Sequence, residues 1–509
     1  MAATKPQSAL DLERARREHH HEADVVIVGA GVFGCAAAFS FANQGRSVIL
    51  LERWLHEPDR IVGELLQPGG VAALKKLGLG KCLEGIDAIP CYGYHVLYRG
   101  DDVAIPYPTV SQEGNVIVTK GGGGEKRDKK GGPEGRAFHH GRFIMKLRKA
   151  CHEHPNISVF ETEVTDLIRG ERGHNNNVEE VLGVKTRTTT DKEKNIKKED
   201  AFFGGLTIVA DGYASKFRQG LLGKTPVVKS KFYALELVDC DFPPQYYGHV
   251  CIGDASVVLL YQIGTHETRA LVDVPLDCPA ASPQNGGVRG YIQNVVLPAL
   301  PKSVQPSVIK ALADGKIPKS MPNSWLPPTK QTSTPGVLVL GDAHNMRHPL
   351  TGGGMTVAFN DVIVLSDLLH PNNIPNLSDH AAVSSAMSTF HYRRKSLTSI
   401  INVLAQALYS LFAANDWQLR ALQRGCFRYF QMGRTDEPVA LMGGMLHRPT
   451  VLARHFFTVA FLAIWMNTVD LCGGSIVGIL MLPVAIVQAV LILWRACVVF
   501  LPVFGTELW

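Results

Sequence analysis

The stretch VVIVGAGVFG at Val25–Gly34 decides the fold of this chain. Its apolar half predicts a buried strand, and its glycines predict a tight turn that opens a helix. In such a turn Gly29 makes the bend, Gly31 lets a pyrophosphate approach the backbone amides, and Gly34 allows close packing of the helix on the strand. A second apolar strand at Ser47–Leu51 completes a βαβ unit, which requires a right-handed crossover and therefore a parallel sheet.

An acidic residue at the end of the second strand strengthens this interpretation. Glu52 follows the glycine turn at about the twenty-residue distance at which a carboxylate accepts hydrogen bonds from ribose hydroxyls. The N-terminus of the intervening helix adds partial positive charge for the phosphates. Because we find one complete fingerprint of this kind, the sequence predicts one bound dinucleotide and no separate NADPH-binding domain.

A second glycine-rich segment, GDAHNMRHPLTGGGM at Gly341–Met355, follows another short apolar strand. Asp342 closes that strand, where a carboxylate can accept a hydrogen bond from a ribityl hydroxyl. Gly353 and Gly354 then precede a helix, and backbone N–H groups at a helix start stabilise negative charge on a flavin ring. Asp211 ends a strand between the two segments and adds a third strand-end motif. Together the motifs predict a flavin dinucleotide held by both ends.

The composition narrows the class of protein. The chain has 509 residues, 46% hydrophobic content and a formal net charge of +6, much of which lies in the basic segments Lys126–Lys130 and Lys192–Lys198. Because no basic stripe with interleaved aromatic residues occurs, the sequence does not predict a nucleic-acid partner. Its ten cysteines form no CxxC pair, which is typical of free thiols and indicates neither a zinc site nor a disulfide scaffold.

The C-terminal part of the chain becomes mostly apolar, with runs at Phe456–Met466, Ile476–Trp494 and Val498–Phe504. A spanning helix needs about twenty apolar residues, and the second run barely reaches that length. We expect a membrane attachment, either a hairpin or helices that lie partly in the interface. The competing interpretation is a buried core helix. Residues 1–22 are polar and carry no apolar signal segment, so the expected attachment lies wholly in the tail.

The order of these segments predicts an α/β protein. A Rossmann-like FAD-binding domain is interleaved with an antiparallel-sheet substrate domain, and C-terminal membrane-associated helices follow. The expected boundaries are 1–22 for a disordered polar arm, 23–110 for the first FAD-binding part, 111–136 for a flexible insertion, 137–220 for the second FAD-binding part with a polar insertion at 169–200, 221–335 for the substrate-binding domain, 336–445 for the third FAD-binding part and a helical region, and 446–509 for the membrane-associated helices.

The order of the glycine turn, Asp-Gly and Gly-Asp motifs resembles the aromatic-hydroxylase-like FAD monooxygenases. Within that group three longer segments resemble squalene epoxidases, the fungal type in particular: Asp59–Gly70 (DRIVGELLQPGG), Arg136–Met145 (RAFHHGRFIM) and Gly341–Met355. The resemblance runs from about Asp24 to the C-terminus. The chain departs from the mammalian form in its long polar insertions and in having no N-terminal membrane segment before the FAD domain.

The resemblance implies specific contacts. Tyr107 resembles the family tyrosine near the substrate cavity, and Gln67 is its expected hydrogen-bond neighbour. Thr165 is expected near the adenine. The FAD contacts that the resemblance implies are Val32, Phe33, Glu52, Arg53, Arg60, Leu65, Arg148, Asp342 and Met355.

The resemblance also implies a reaction, the insertion of one oxygen atom of O2 into a terminal double bond of squalene. The product would be (S)-2,3-epoxysqualene, which sterol biosynthesis uses. The oxidant would be a flavin C4a-hydroperoxide, so we expect no catalytic side chain and no metal. The histidines near the motifs are expected to be structural: His139, His140, His344 and His348.

The resemblance further implies an electron source and a location. Electrons would come from NADPH through NADPH–cytochrome P450 reductase. The expected location is the endoplasmic reticulum membrane, with lipid droplets as a second site. Membrane lipid would then deliver the hydrocarbon to the cavity.

Two other classes of protein share these features. A flavin-dependent polyprenyl reductase would saturate double bonds without consuming oxygen. A non-enzymatic prenyl-protein escort would keep the first glycine turn as a relic; it predicts a colourless protein and leaves Gly341–Met355 without a use. Flavin colour and squalene turnover distinguish the three.

Overall fold

The computed structural model describes residues 21–111, 113–117, 132–170, 179–191, 196–253, 255–473, 478 and 480–508. Residues 1–20 of the expected polar arm, 112 and 118–131 of the expected insertion 111–136, and 171–178 and 192–195 of the polar insertion 169–200 lie outside them. The strands are β1 (Glu22–Val28), β2 (Val48–Glu52), β3 (Leu65–Leu66), β4 (Ile89–Cys91), β5 (Gly93–Tyr98), β6 (Asp101–Pro106), β7 (Thr109–Val110), β8 (Val116–Ile117), β9 (Gly135–Ala137), β10 (Ile157–Glu161), β11 (Glu163–Gly170), β12 (Glu180–Asp191), β13 (Ile196–Val209), β14 (Val227–Val238), β15 (Gly248–Ile252), β16 (Val258–Gln262), β17 (Glu267–Pro275), β18 (Lys319–Trp325) and β19 (Val337–Val339). The α-helices are α1 (Val32–Asn43), α2 (Pro68–Lys76), α3 (His140–His152), α4 (Arg218–Leu222), α5 (Gly287–Tyr291), α6 (Leu297–Ala299), α7 (Gln305–Leu312), α8 (Gly354–Leu368), α9 (His380–Arg393), α10 (Lys395–Phe412), α11 (Trp417–Gln431), α12 (Asp436–Met442), α13 (Pro449–Cys472) and α14 (Leu482–Leu508).

The predicted βαβ unit lies at the centre of the first sheet. β1 runs parallel to β2, and α1 connects them. β10 and β13 extend the parallel sheet on either side, and β19 pairs with β13 in parallel. Because both faces of a parallel sheet are covered, its strands are nearly continuous apolar runs, and Val25, Ile27 and Leu50 have no exposed surface.

The polar segment 169–200 belongs to this sheet. β11, β12 and β13 pair antiparallel in sequence order. Val181 and Val184 of β12 are fully buried against the sheet's core. The described residues of this expected polar insertion therefore form paired antiparallel strands that widen the sheet.

The second sheet has 7 strands in the order β18-β14-β17-β16-β15-β5-β6. All its pairs are antiparallel except β15 and β5, which run parallel. β5 and β6 come from residues 93–106, inside the segment 23–110 that we expected in the FAD-binding domain. The chain therefore enters the second sheet before it completes the first, and this confirms the interleaved α/β architecture.

Helices α1, α2, α3 and α8 form the main core against the first sheet. The small residues of α1 let it approach the strands, and Cys35, Ala36 and Ala37 are fully buried. Phe143 and Phe359 fill the space between the helices and are also fully buried. Burial of a phenylalanine side chain contributes on the order of 2 kcal/mol, so this core holds the start of α1 firmly at the end of β1.

The apolar tail forms two long helices that pack against the body. α13 and α14 contact each other, and both contact α10 and α11. The approach is close at Gly425 of α11, where an added Cβ would lie 2.6 Å from the Cβ of Ala463. Ile492 of α14 is fully buried. One face of each helix is therefore part of the protein interior.

The other face of these helices is exposed and apolar. Trp465 is 67% exposed and Trp494 is 68% exposed. Within the described residues, α13 and α14 are long and apolar enough to cross a membrane by length and composition. We expected the second and third apolar runs as separate pieces. Their residues Leu482–Trp494 and Val498–Phe504 share α14, which continues through Pro502, and 476, 477 and 479 lie outside the described residues.

Candidate functional site

The two glycine-rich segments meet at one cleft, beside the carboxyl ends of β1, β13 and β19. This edge is where doubly wound sheets bind ligands. Residues from both sheets and from the segment 60–65 line the cleft. They include Gly31, Val32, Phe33, Arg60, Glu64, Leu65, Tyr94, His140, Gly212, Tyr213, Tyr261, Met321, Asp342, Arg347, Leu350, Gly352, Gly354 and Met355.

Backbone contacts fix the first glycine turn. Gly29 has a φ of +105°, which L side chains rarely adopt, and a Cβ there would lie 2.5 Å from the Ala210 carbonyl oxygen. A Cβ at Gly34 would lie 1.8 Å from the Gly29 carbonyl oxygen. A Cβ at Gly31 would meet nothing within 4 Å. The fold itself therefore requires Gly29 and Gly34, whereas Gly31 leaves open space at the N-terminus of α1, as a bound phosphate requires.

Glu52 ties the end of β2 to this turn. One of its carboxylate oxygens accepts a hydrogen bond from the backbone N–H of Ala30 at 2.7 Å. Arg148 lies 3.3 Å from the same oxygen and donates to the Ala30 carbonyl at 3.0 Å. Arg148 also donates to the carbonyls of Trp54 and His56. The guanidinium of Arg148 thus holds the turn from behind, and Glu52 stays partly exposed beside it.

The two arginines that follow Glu52 have different surroundings. Arg53 is exposed, and its guanidinium lies 4.1 Å over the ring of Trp54. Arg60 lines the cleft, 5.5 Å over the ring of Tyr213, and contacts the sulfur of Met321. Within the described residues its Nε is buried without a hydrogen-bond partner, so Arg60 has a donor left for a ligand.

The Gly-Asp turn at the second segment is held by an arginine. Arg218 of α4 is buried and donates to the carbonyls of Ala343 at 2.8 Å and Asp342 at 3.2 Å. The Asp342 side chain is exposed and lines the cleft. Asp211 follows β13, its carboxylate accepts from the Lys216 N–H at 3.2 Å, and burial raises the pKa of the carboxyl. The sequence showed Arg218 after the Asp-Gly motif but gave no sign of its partners.

Side-chain contacts shape the rest of the second segment. The ring of His348 accepts a hydrogen bond from the backbone N–H of Leu350 at 3.2 Å and caps the turn Pro349–Thr351. A Cβ at Gly353 would lie 2.4 Å from Ile401, so this glycine is required for packing. A Cβ at Gly354 would meet nothing within 4 Å, and Gly354 faces the cleft at the start of α8.

The predicted hydrogen bond between Tyr107 and Gln67 is present in the structure. The Tyr107 hydroxyl donates to Gln67 Oε1 at 2.6 Å, and Gln67 Nε2 donates to the Thr351 carbonyl at 2.8 Å. Burial raises the pKa of Tyr107. The ring of Tyr94, 5.7 Å away and edge-on, separates Tyr107 from the cleft. The Tyr107–Gln67 pair therefore braces the wall and the second glycine segment together.

A second, apolar cavity continues from the cleft toward the tail. Tyr94, Val250 and Leu350 line both spaces. The further walls come from β5, β6 and the helices α10 to α14: Val96, Ile105, Val403, Leu408, Leu411, Phe412, Phe430, Met442, Leu452, Phe456, Val459 and Phe500. Because these residues are scattered over many elements and form no motif, sequence reasoning missed them.

A buried ion pair joins the cleft to the second sheet. Arg269 of β17 donates to both carboxylate oxygens of Glu64 at 2.9 Å, and Glu64 is 1% exposed. Burial raises the pKa of Glu64, and Arg269 opposes this shift. Removal of one partner of such a pair costs about 3–5 kcal/mol because it leaves an uncompensated charge. Glu64 stands in a quoted motif, but no local signal pointed to Arg269.

Thr165 lies away from the cleft. It is on β11, and its hydroxyl donates to the Lys185 carbonyl at 3.2 Å. Nearby residues of this edge reach the end of β2: the Thr162 N–H donates to the Glu52 carbonyl at 2.7 Å, and Glu161 pairs with Glu52.

Two of the histidines near the motifs lie within hydrogen-bond distance of backbone carbonyls. His140 Nδ1 lies 2.8 Å from the Gly63 carbonyl oxygen, and His344 Nε2 lies 2.6 Å from the Thr329 carbonyl oxygen. Burial lowers the pKa of both His140 and His344 to about 3, so both rings are neutral at physiological pH. Both rings thus contact backbone carbonyls, and a structural role for these histidines stays a prediction.

Comparison with known proteins gives both sequence and fold matches. A family model described as squalene epoxidase matches residues 203–481. The squalene epoxidase of Gibberella zeae is 62% identical over 497 residues, which cover 98% of this chain and 98% of the relative. The squalene monooxygenase of Mus musculus is 40% identical over 491 residues, which cover 95% of this chain and 78% of the relative.

The fold also matches solved structures. The crystal structure of a probable FAD-dependent monooxygenase from Pseudomonas aeruginosa has a TM-score of 0.56 at 20% identity. The match covers 77% of this chain and 95% of that chain. At this level of identity the likeness concerns the fold.

Proposed function

Because this chain belongs to the squalene epoxidase family, we propose that its cleft binds FAD and that its apolar cavity admits squalene. The reaction is the epoxidation of squalene to 2,3-epoxysqualene, a step of sterol biosynthesis. One observation carries the proposal: the glycine-lined cleft and the apolar cavity lie side by side. Tyr94, Val250 and Leu350 line both of them.

The residues of the cleft fit FAD. The open space at Gly31 suits the pyrophosphate, and Glu52 suits the adenosine ribose. Asp342 would accept from the ribityl chain, and the N–H groups at Gly354 and Met355 would face the flavin ring. Val32, Phe33, Arg60 and Leu65 line the same cleft and would complete the contacts. FAD, when bound, supplies the activation of O2 and the transfer of one oxygen atom to the alkene.

Two predicted residues would have supporting roles in this proposal, and a third stays a prediction. Arg148 would act through the turn that it holds, because its donors are already used by backbone carbonyls. Arg53 would reach FAD only at the exposed end of the cleft. A contact from Thr165 to the adenine remains a prediction, since the residues that line the cleft do not include Thr165.

The protein residues orient the hydrocarbon and exclude water. An alkene offers no hydrogen-bonding groups, so it is held by shape and by apolar walls. Tyr94, Val250 and Leu350 form the junction at which the double bond would face the cleft, and Tyr107 and Gln67 hold Tyr94 and the loop behind it. Water-free surroundings protect the reactive state of the enzyme from wasteful breakdown.

Substitutions at the junction test this assignment. Val250→Trp should block the passage, so that FAD binds normally while squalene epoxidation falls at least about 100-fold. Val250→Ile, the matched control, adds one methylene and should keep most of the activity. Wild-type turnover by FAD-loaded Val250→Trp would contradict the assigned path. Saturation of squalene without oxygen consumption would instead indicate the polyprenyl reductase, which the family membership does not favour.

Electrons would reach the flavin from NADPH through NADPH–cytochrome P450 reductase. The support is that the sequence contains one complete dinucleotide fingerprint, at Gly29–Gly34. NADPH alone should therefore reduce the bound flavin slowly, and added reductase should accelerate reduction at least about 100-fold. Rapid reduction by NADPH alone would contradict this electron path.

Membrane lipid would surround the exposed faces of α13 and α14, and we place the protein at the endoplasmic reticulum membrane, with lipid droplets as a second site. Each helix has one face packed on the body, which favours insertion into one leaflet over a free span. Trp465→Glu combined with Trp494→Glu should release the protein from vesicles. Ile309→Glu, at a residue that is 57% exposed on α7, is the control and should leave binding unchanged. Equal binding by all variants would place the attachment elsewhere.

A further inference from the structure

The last turn of the tail carries a buried charge. Glu507 of α14 is 3% exposed, although the same helix presents an apolar face to the outside. A carboxylate is costly to bury unless polar groups surround it. Its Oε1 accepts a hydrogen bond from Asn402 Nδ2 of α10 at 2.7 Å. The end of α14 is therefore anchored in the protein interior.

Asn402 also contacts the second glycine-rich segment, Gly341–Met355. Asn402 Nδ2 also donates to Oδ1 of Asn345 at 3.2 Å. Asn345 is 1% exposed, and its own Nδ2 donates to the Leu326 carbonyl at 2.7 Å. Its backbone N–H donates to the Gly341 carbonyl at 3.0 Å. The Asn345 side chain thus connects α14, through Asn402, to the turn that carries Asp342.

Two arginines complete the cluster. Arg347 donates to both the carbonyl and the Oδ1 of Asn345, at 3.0 and 2.8 Å, and Arg347 lines the cleft. Arg394 contacts the same Oδ1 at 3.4 Å and makes a two-pronged ion pair with Asp361. Burial lowers the pKa of Arg347, while the charges of Asp342, Asp361 and Glu507 favour its charged form. Glu507 therefore adds negative charge where two buried guanidinium groups meet.

We propose that Glu507 is a positioning residue for the cofactor loop. Through Asn402 and Asn345 it holds Gly341 and Arg347 in the geometry that binds FAD, so the tail is a structural part of the cleft as well as a membrane attachment. This inference rests on the proposed binding of FAD in the cleft. The tail then has two tasks. The outward-facing Trp465 and Trp494 contact lipid, and Glu507 supports the loop.

The test uses the full chain in detergent, stripped of flavin and titrated with FAD. Glu507→Ala should raise the Kd for FAD about tenfold, because Asn402 loses its charged acceptor. Glu507→Gln keeps an oxygen that accepts from Asn402 and should restore the Kd to within about threefold of wild type. Thr506→Ala is the matched control, since Thr506 is exposed in the same turn and bonds only the Val503 carbonyl among the described residues. Vesicle binding should be unchanged in all three variants.

Further readouts separate positioning from general stability. The reduction potential and visible spectrum of the bound flavin should shift in Glu507→Ala and return in Glu507→Gln. If Glu507→Ala fails to fold, Asn402→Ala should show the same weakening of FAD binding. Wild-type FAD binding in Glu507→Ala, or equal weakening in Thr506→Ala, would overturn the inference while the proposed function stands. Failure of the wild-type chain to bind FAD would overturn the proposed function itself.

Discussion

The two glycine-rich segments reach the same cleft by different means. The turn Gly29–Gly34 is packed closely on its own backbone, since a Cβ at its last glycine would lie 1.8 Å from the carbonyl of its first, and Glu52 and Arg148 brace it only at Ala30. The segment Gly341–Met355 is held by side chains from distant parts of the chain. Arg218 and Gln67 donate to its carbonyls, and Asn402 donates to Asn345.

This difference shows which contacts stabilise each half of the cleft. A turn whose backbone packs this closely is set mainly by its strand and helix, and its side-chain braces meet it at one residue, Ala30. A loop that is fixed by distant side chains depends on the second sheet, on α10 and on the tail. Damage to the first turn should therefore be severe and local, and damage to the second segment should be graded and reach it from many positions.

The largest effect is expected at the first turn. Gly34→Ala forces a side chain against a backbone oxygen, and overpacking of this kind should lower the free energy of unfolding of the apoprotein by about 3 kcal/mol. Gly31→Ala, where the Cβ has open space, should leave apoprotein stability unchanged and weaken FAD binding at least about 100-fold. Thermal unfolding and FAD titration measure the two effects. Equal stability losses in both variants would refute the distinction between the two glycines.

A smaller, graded effect is expected at the second segment. Asn345→Ala removes the side-chain oxygen to which Arg347, Arg394 and Asn402 all donate, and should lower the free energy of unfolding by about 2 kcal/mol. FAD affinity should fall with it, and hydrogen exchange should rise across residues 341–355 but not across 25–34. If exchange rose equally in both segments, the two would not be independent.

Acid should affect the second segment before the first. The stretch Val25–Gly34 contains no ionisable side chain, whereas burial lowers the pKa of His344 from 6.5 to about 3. The unfolded chain binds the proton first, so stability is lost as the pH falls below about 6.5, by about 1.4 kcal/mol at pH 5.5 from this group alone.

The matched variant for this pH effect is His344→Gln, whose amide can still donate to the Thr329 carbonyl. Its stability should depend on pH less steeply than that of wild type between pH 7 and 5.5, by about one proton. The remaining slope would come from other buried histidines such as His140 and His249, whose pKa values burial lowers to about 3 and about 4. Identical slopes for the variant and wild type would mean that His344 is not neutral in the folded protein.

The smallest effect is expected at the brace between the cavity wall and the loop. Tyr107→Phe removes one donated hydrogen bond to Gln67 and should cost about 1 kcal/mol of stability. Epoxidation should slow more than FAD binding weakens, because Tyr107 supports Tyr94 and not the pyrophosphate end. A change in FAD affinity as large as the change in turnover would argue against this division.

The parts that sequence reasoning predicted are local ones. The strand, turn and helix at Val25–Asn43 follow from apolar runs and glycine spacing, and Glu52 from its distance to the turn. Other contacts join residues that are far apart in the chain, such as Glu64 with Arg269 and Asn345 with Asn402. No periodicity or motif links the members of either pair. The apolar cavity was missed for the same reason, since residues such as Leu408 and Phe430 differ from ordinary core residues only after the fold has assembled.

The placement of residues 93–106 shows a further limit. Short strands such as β5 and β6 carry no mark of the sheet that they join, and the expected segment 23–110 included them in the first FAD-binding part. Pairing with β15, more than a hundred residues later, decides their place. Long-range pairing is set by the whole fold and not by the strand itself.

The central claim is that flavin chemistry in the cleft oxidises a hydrocarbon held in the apolar cavity. The most direct measurement supplies the FAD-loaded chain with squalene, NADPH, the reductase and 18O-labelled O2, and analyses the product by mass spectrometry. We predict 2,3-epoxysqualene carrying one labelled oxygen atom, and no product from flavin-free Asp342→Ala. A saturated product, or an epoxide without the label, would contradict the account.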